Sequence, residues 1–148
     1  MNPKFFKTPS DFRKWLAAHH SSAKELWVGF YKKESGKPSI TWPQSVEEAL
    51  CFGWIDGWFK LIDTERWAIR YTPRRKRSNW SKYNIATAWN LLNEQRMTPA
   101  GVAKIPKDVL EIWEKYRPQA TVIVRVTQGR EIRFADWRNH LSMVRLPA

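Results

Sequence analysis

Two stretches of this 148-residue chain hold the side chains most able to do chemistry. The first is CFGWIDGW, residues 51–58, where one carboxylate, Asp56, sits among Phe52, Trp54, Ile55 and Trp58 with Gly53 and Gly57 to either side. A carboxylate in such surroundings has three uses. It accepts backbone N–H bonds and organises a turn; it pairs with an arginine and fixes a neighbouring loop; or it serves as a general base where burial raises its pKa. The second stretch is TPRRKRSNWSKYN, residues 72–84. Arg74, Arg75 and Arg77 present planar forks suited to carboxylate or phosphate. Ser81 reads as a helix cap, so a helix N-terminus with its positive dipole end lies beside them, next to Ser78 and Asn84. Trp80 adds a stacking or cation–π face. Plainer readings stand beside these: an aspartate that only holds a turn, a solvated basic loop, and a Trp80 that is simply core.

Charge singles out the second stretch. Of a net +12, residues 66–82 contribute seven Lys or Arg and no acid, whereas residues 1–65 hold nine Lys or Arg against eight Asp or Glu. That is a local field able to attract phosphate, carboxylate or an acidic protein surface. The candidate site is therefore Trp54 and Asp56 together with Arg74, Arg75, Arg77, Ser78, Trp80, Ser81 and Asn84.

The familiar enzyme signatures are absent. ESGKPS contains Gly-Lys, but Tyr31 stands where a phosphate-binding loop needs its first glycine, and neither Gly-x-Gly-x-x-Gly nor Gly-x-Ser-x-Gly occurs. His19, His20 and His140 have no metal-ligand spacing with an acid or thiol, so no metal and no cofactor is expected. The one cysteine, Cys51, rules out an intrachain disulfide and fits a reducing compartment. With no signal-peptide run at residues 1–12 and no apolar stretch of about 20 residues, the expected location is cytoplasmic, with no membrane-spanning segment.

The elements that must position these residues follow from caps and periodicity. Thr8 and Pro9 open a helix with Phe12, Trp15, Leu16 and His19 on one face. Leu26 to Lys32, aromatic and β-branched, reads as a central strand. Pro43 opens a second helix with Val46, Ala49 and Leu50 inward and Glu47 and Glu48 toward water, ended by Gly53. Residues 54–56 then form a turn, and GWFKLID and RWAIRYTP make a hairpin around Asp63–Glu65. Helices follow after Ser81, at Thr98 and from Asp108 to Tyr116; TVIVRV and EIRF predict a further hairpin, and DWRNHLSMV a closing helix. The order predicts an α+β fold, a small mostly antiparallel sheet backed by several helices, with a domain at 1–118 and an extension at 119–148. Of the ten tryptophans, most have core spacing; Trp54 and Trp80, in irregular segments, are the expected exceptions.

GFYKK, EALCFGWIDG, TPR followed by Ser78-Asn-Trp-Ser81, and MTPAG also carry a resemblance. Over about Lys4 to Gly101 the chain resembles the bacteriocin-protection, YdeI/OmpD-associated family, while residues from Gln119 onward depart from that pattern. The resemblance implies a link to protection against antimicrobial peptides and to a porin, with some members periplasmic. A net +12 repels cationic peptides, so protection through this chain would be indirect. The expected function is a non-catalytic binding protein for an anionic small molecule or an acidic protein surface. Nucleic-acid binding is the first alternative, and an enzyme using Asp56 with Arg74 or Arg77 the second.

Overall fold

A computed structural model describes residues 1–76 and 78–116. Its order is β1 (Lys4–Phe5), α1 (Pro9–His19), β2 (Leu26–Tyr31), a 3-10 turn (Lys33–Ser35), α2 (Trp42–Cys51), β3 (Trp54–Leu61), β4 (Arg66–Pro73), α3 (Lys82–Asn93), α4 (Pro99–Val102) and, at the end of the described residues, helix α5 at 107–116. The strands form one sheet in the order β1-β2-β4-β3. Among the described strands only the β1–β2 pair is parallel. The fold is thus α+β, a mixed and mostly antiparallel sheet with helices. The hairpin and closing helix expected beyond residue 118, and the boundary at 118/119, lie outside the described residues.

Local chemistry explains most element starts. Thr8, Thr41, Ser81 and Thr98 each accept the N–H three residues on, and proline follows in three of the four. Thr41 and Gln44 complete a reciprocal capping box. At the end of α2, Gly53 takes φ +76, the left-handed turn that lets the chain double back into β3.

The core joins Val28 and Phe30 of β2 and Ile69 and Tyr71 of β4 to Phe12 and Leu16 of α1, Ala49 and Leu50 of α2, and Trp89 of α3. The Tyr71 hydroxyl is hydrogen-bonded to Ser45 of α2, and Trp89 Nε1 donates to the Val109 carbonyl at 2.9 Å. Burial pushes the Tyr71 phenol up, which keeps it neutral.

Two expectations are corrected here. Residues 54–56 are not a turn: β3 already starts at Trp54, and Asp56 pairs opposite Tyr71. The register slips between Asp56 and Phe59, so Gly57 and Trp58 together face Arg70 across a bulge. A glycine inside a strand pattern marks such a bulge as readily as a turn. Glu47 and Glu48 do not face water either. α2 is buried from Ser45 to Cys51, because α1 lies on one side and residues 94–98 on another. Arg96 bridges Glu47 at 2.9 Å and Glu48 at 2.7 Å, and Arg13 bridges Glu48 at 3.0 Å.

Arg96 is delivered by an unusual helix ending. The Gln95 N–H donates to the Leu92 carbonyl and the Arg96 N–H to the Leu91 carbonyl, a Schellman arrangement with Gln95 at φ +59. A left-handed glutamine is strained where glycine is not. Gln95→Gly is expected to raise stability by about 0.5–1 kcal/mol, the relief exceeding the added chain entropy of glycine. Urea unfolding measures it, and an unchanged or lower midpoint would contradict it.

Candidate functional site

Asp56, Ser81 and Asn84 come together. They line one open cavity of about 320 Å³ with Trp42, Pro43, Val46 and Tyr83. Three elements build it: the first turn of α2, the start of β3 and the capped start of α3. Asp56 Oδ2 accepts from Trp42 Nε1 at 3.1 Å, which ties the strand to the helix start. Ser81 Oγ accepts the Asn84 N–H at 3.1 Å, so the cap and Asn84 are held as one unit at the positive end of α3.

The remaining candidates are placed otherwise. Arg74 is only 2% exposed. Its guanidinium lies over the Trp80 ring at 3.9 Å, and Nη1 donates to Ser78 Oγ at 3.1 Å and to the Asn79 carbonyl at 3.3 Å. Its backbone is held too: the Arg74 N–H donates to the Gly53 carbonyl at 2.8 Å, and Lys104 Nζ donates to the Arg74 carbonyl at 2.7 Å. Arg74 therefore organises the basic segment from inside. Among the described residues its Nε has no hydrogen-bond partner, and burial lowers its pKa to about 10 against the attraction of Asp56, which raises it. Asp56 and Arg74 interact through space, without a direct ion pair among the described residues. Arg75 and Lys76 are exposed, Ser78 is half-buried, and Arg77 lies outside the described residues.

The two tryptophans expected at a surface are both buried. Trp54 is 2% exposed, edge-on to Trp15 at 5.8 Å, and Trp80 is 5% exposed beneath Arg74. Among the described residues the exposed tryptophans are Trp58 at 76% and Trp42 at 47%. Trp42 was missed as a lining residue, as were Pro43, Val46 and Tyr83. The signal for Trp42 was available, since a large ring at the first position of a capped helix, between Thr41 and Pro43, projects past the helix end rather than onto a buried stripe. Trp58 stands out because β3 is an edge strand.

Cys51 is fully buried, and burial pushes its thiol up to about 11, with Glu48 adding to the rise while Arg13 and Arg96 oppose it. That environment suppresses the thiolate, the reactive form. Among the described residues no three His, Cys, Asp or Glu side chains cluster for a metal ion, and no helix is long and apolar enough to cross a membrane.

Residues 4–104, about two-thirds of the chain, match the family model described as a domain of unknown function, DUF8412. This corrects the resemblance read from the sequence: the motifs that suggested a bacteriocin-protection, YdeI/OmpD-associated protein all fall inside the matched span, and the implied links to antimicrobial peptides and a porin fall with it. Those motifs encode architecture here. EALCFGW holds a helix end and a strand start, and MTPAG docks a capped turn onto α2. No curated protein and no solved structure matches the chain. The chain belongs to the DUF8412 family.

Proposed function

We propose that this DUF8412 protein is a non-catalytic binding domain that holds a small ligand bearing an anionic group in the cavity beside the α3 N-terminus. The observation that carries the reading is the convergence of Asp56, Ser81, Asn84 and the half-exposed Trp42 on one concavity. The segment leading into that wall is the most basic of the chain, with Arg75 and Lys76 exposed and the charge of Arg74 buried against Trp80, one residue before Ser81. The positive end of α3 and these cations favour an anion there. Asp56 adds a second requirement. Its carboxylate repels a bare anion, so the preferred ligand also offers a hydroxyl or amine donor to Asp56, with an apolar body against Trp42 and Val46. A catalytic reading through Arg74 would need it to face the substrate, and its guanidinium is instead engaged by Ser78, Asn79 and Trp80; Arg77, the other arginine of that reading, lies outside the described residues. Its single, buried cysteine suits a reducing compartment, and we assign the protein to the cytoplasm on that ground.

A thermal-shift screen of hydroxylated phosphates and carboxylates should find ligands that stabilise the wild type. Asp56→Asn and the double change Arg75→Glu/Lys76→Glu should each weaken them at least tenfold, one by loss of the acceptor and the other by reversal of the field. Ligands whose affinity survives both changes would place the site elsewhere.

A further inference from the structure

We propose that a second cavity, which also has Trp42 in its wall, binds single-stranded nucleic acid, with bases stacking on its aromatic floor and phosphates meeting its lysine rim. The cavity measures about 640 Å³. Trp42 is a wall of both cavities; otherwise the two share no lining residue.

The floor is built from the sheet. The rings of Phe30 and Trp67 stack at 4.3 Å with 15° between their planes. Phe30 is sealed beneath, Trp67 is half-buried, and the exposed Phe59 ring lies 5.5 Å from Trp67. The aromatic surface therefore runs from the cavity outward along β3, where Leu61 is also exposed. The rim is the loop after β2. Lys32 and Lys33 are exposed, and Lys37 Nζ sits 5.1 Å from the centre of the Tyr31 ring. No described carboxylate bridges any of the three lysines. Glu34, next to Lys33, and Glu65, whose carbonyl accepts the Lys32 N–H, are exposed and stand outside the lining.

Unbridged lysines around a half-exposed aromatic floor match a polymer that offers phosphates and flat faces together. Lysines release condensed counterions when they meet phosphates, and a base of any identity can stack on an exposed ring. A duplex hides its base faces and cannot use the floor. An acidic peptide satisfies the lysines and leaves the rings unused. A single mononucleotide covers one ring, whereas the aromatic surface continues past Trp67 to Phe59.

Anisotropy titration of fluorescein-labelled dT12 at 25 and 150 mM NaCl tests this. Wild type should bind at the lower salt. Lys33→Glu/Lys37→Glu should weaken binding at least tenfold and reduce the slope of log K against log salt by about 1.4, at roughly 0.7 for each lost single-strand contact. Trp42→Ala should weaken it about tenfold with the slope unchanged, the mark of lost stacking rather than lost charge. Lys107→Glu/Lys115→Glu, on α5 away from the cavity, controls for general attraction to a basic protein, and circular dichroism confirms that each variant folds. Three outcomes overturn the proposal: no binding at 25 mM salt, equal weakening by the α5 control, or competition by poly-glutamate as effective as that by unlabelled dT12.

Discussion

Arg96→Met is expected to destabilise the protein by about 3 kcal/mol, toward the lower end of what breaking a buried ion pair costs, because Arg96 is 30% exposed. The loss does not come from surface attraction. Glu47 and Glu48 are consecutive on α2 and both buried, and Arg96 meets them with separate nitrogens while Glu94 approaches the same guanidinium at 3.2 Å. Removing the cation leaves two adjacent buried carboxylates without it, and one of them, Glu48, keeps Arg13. The Arg96 carbonyl also accepts from Arg13 Nη2 at 2.8 Å, so the backbone of this segment is part of the same network. Methionine preserves the stem's packing and isolates the charge term. The triple variant Glu47→Gln/Glu48→Gln/Arg96→Met should recover most of the loss, since neutral groups do not need the counter-ion. Urea denaturation reads both, and a loss below about 1 kcal/mol for Arg96→Met would mean that water already screens the cluster.

Gly101→Ala is expected to cost about 3 kcal/mol and to lower the melting temperature by roughly 10 °C. A Cβ at Gly101 would lie 2.2 Å from the Cys51 carbonyl oxygen and 2.8 Å from Met97 Cε. The methionine can move; the carbonyl cannot move cheaply, because it accepts from the Thr98 N–H at 3.0 Å and from Thr98 Oγ1 at 2.6 Å. To admit a methyl group, α4 must lift from the end of α2 and loosen those bonds. Intrinsic helix preference argues the other way, since alanine is favoured over glycine within a helix by about 1 kcal/mol. The sign of the change therefore decides between close approach and propensity. A stabilised Gly101→Ala protein would show that α4 does not dock as described.

The two effects share a cause. α2 is the central helix, and its charged side and its C-terminal carbonyl are both covered by the segment from Glu94 to Gly101. Its first turn supplies Trp42 to the two cavities. A disturbance at Arg96 or Gly101 is therefore expected to reach the cavities through α2, which is why ligand tests on those variants need a fold control.

Much of the architecture was legible in the residues themselves. Thr8, Ser81 and Thr98 announced helix starts, Gly53 a helix end, and the alternation of Trp67, Ile69 and Tyr71 a strand, because capping bonds and side-chain periods span four residues or fewer. The basic segment and the acid Asp56 were visible for the same reason: charge is a property of the chain before it folds. Which residues are buried was a different matter. Glu47 and Glu48 read as solvent-facing until two further segments closed over α2. Trp54 and Trp80 read as exposed beside glycine and serine, while Trp42 and Trp58 took the surface because one tops a helix and the other lies on a sheet edge. Arg74 read as a ligand-facing cation and became a buried strut over Trp80. Burial depends on what an element packs against, and partners far apart in sequence, such as Asp56 and Trp42 or Glu48 and Arg96, meet only when the sheet and helices are assembled. Sequence alone determined the elements and the charge; only the tertiary structure decided which side chains face a cavity.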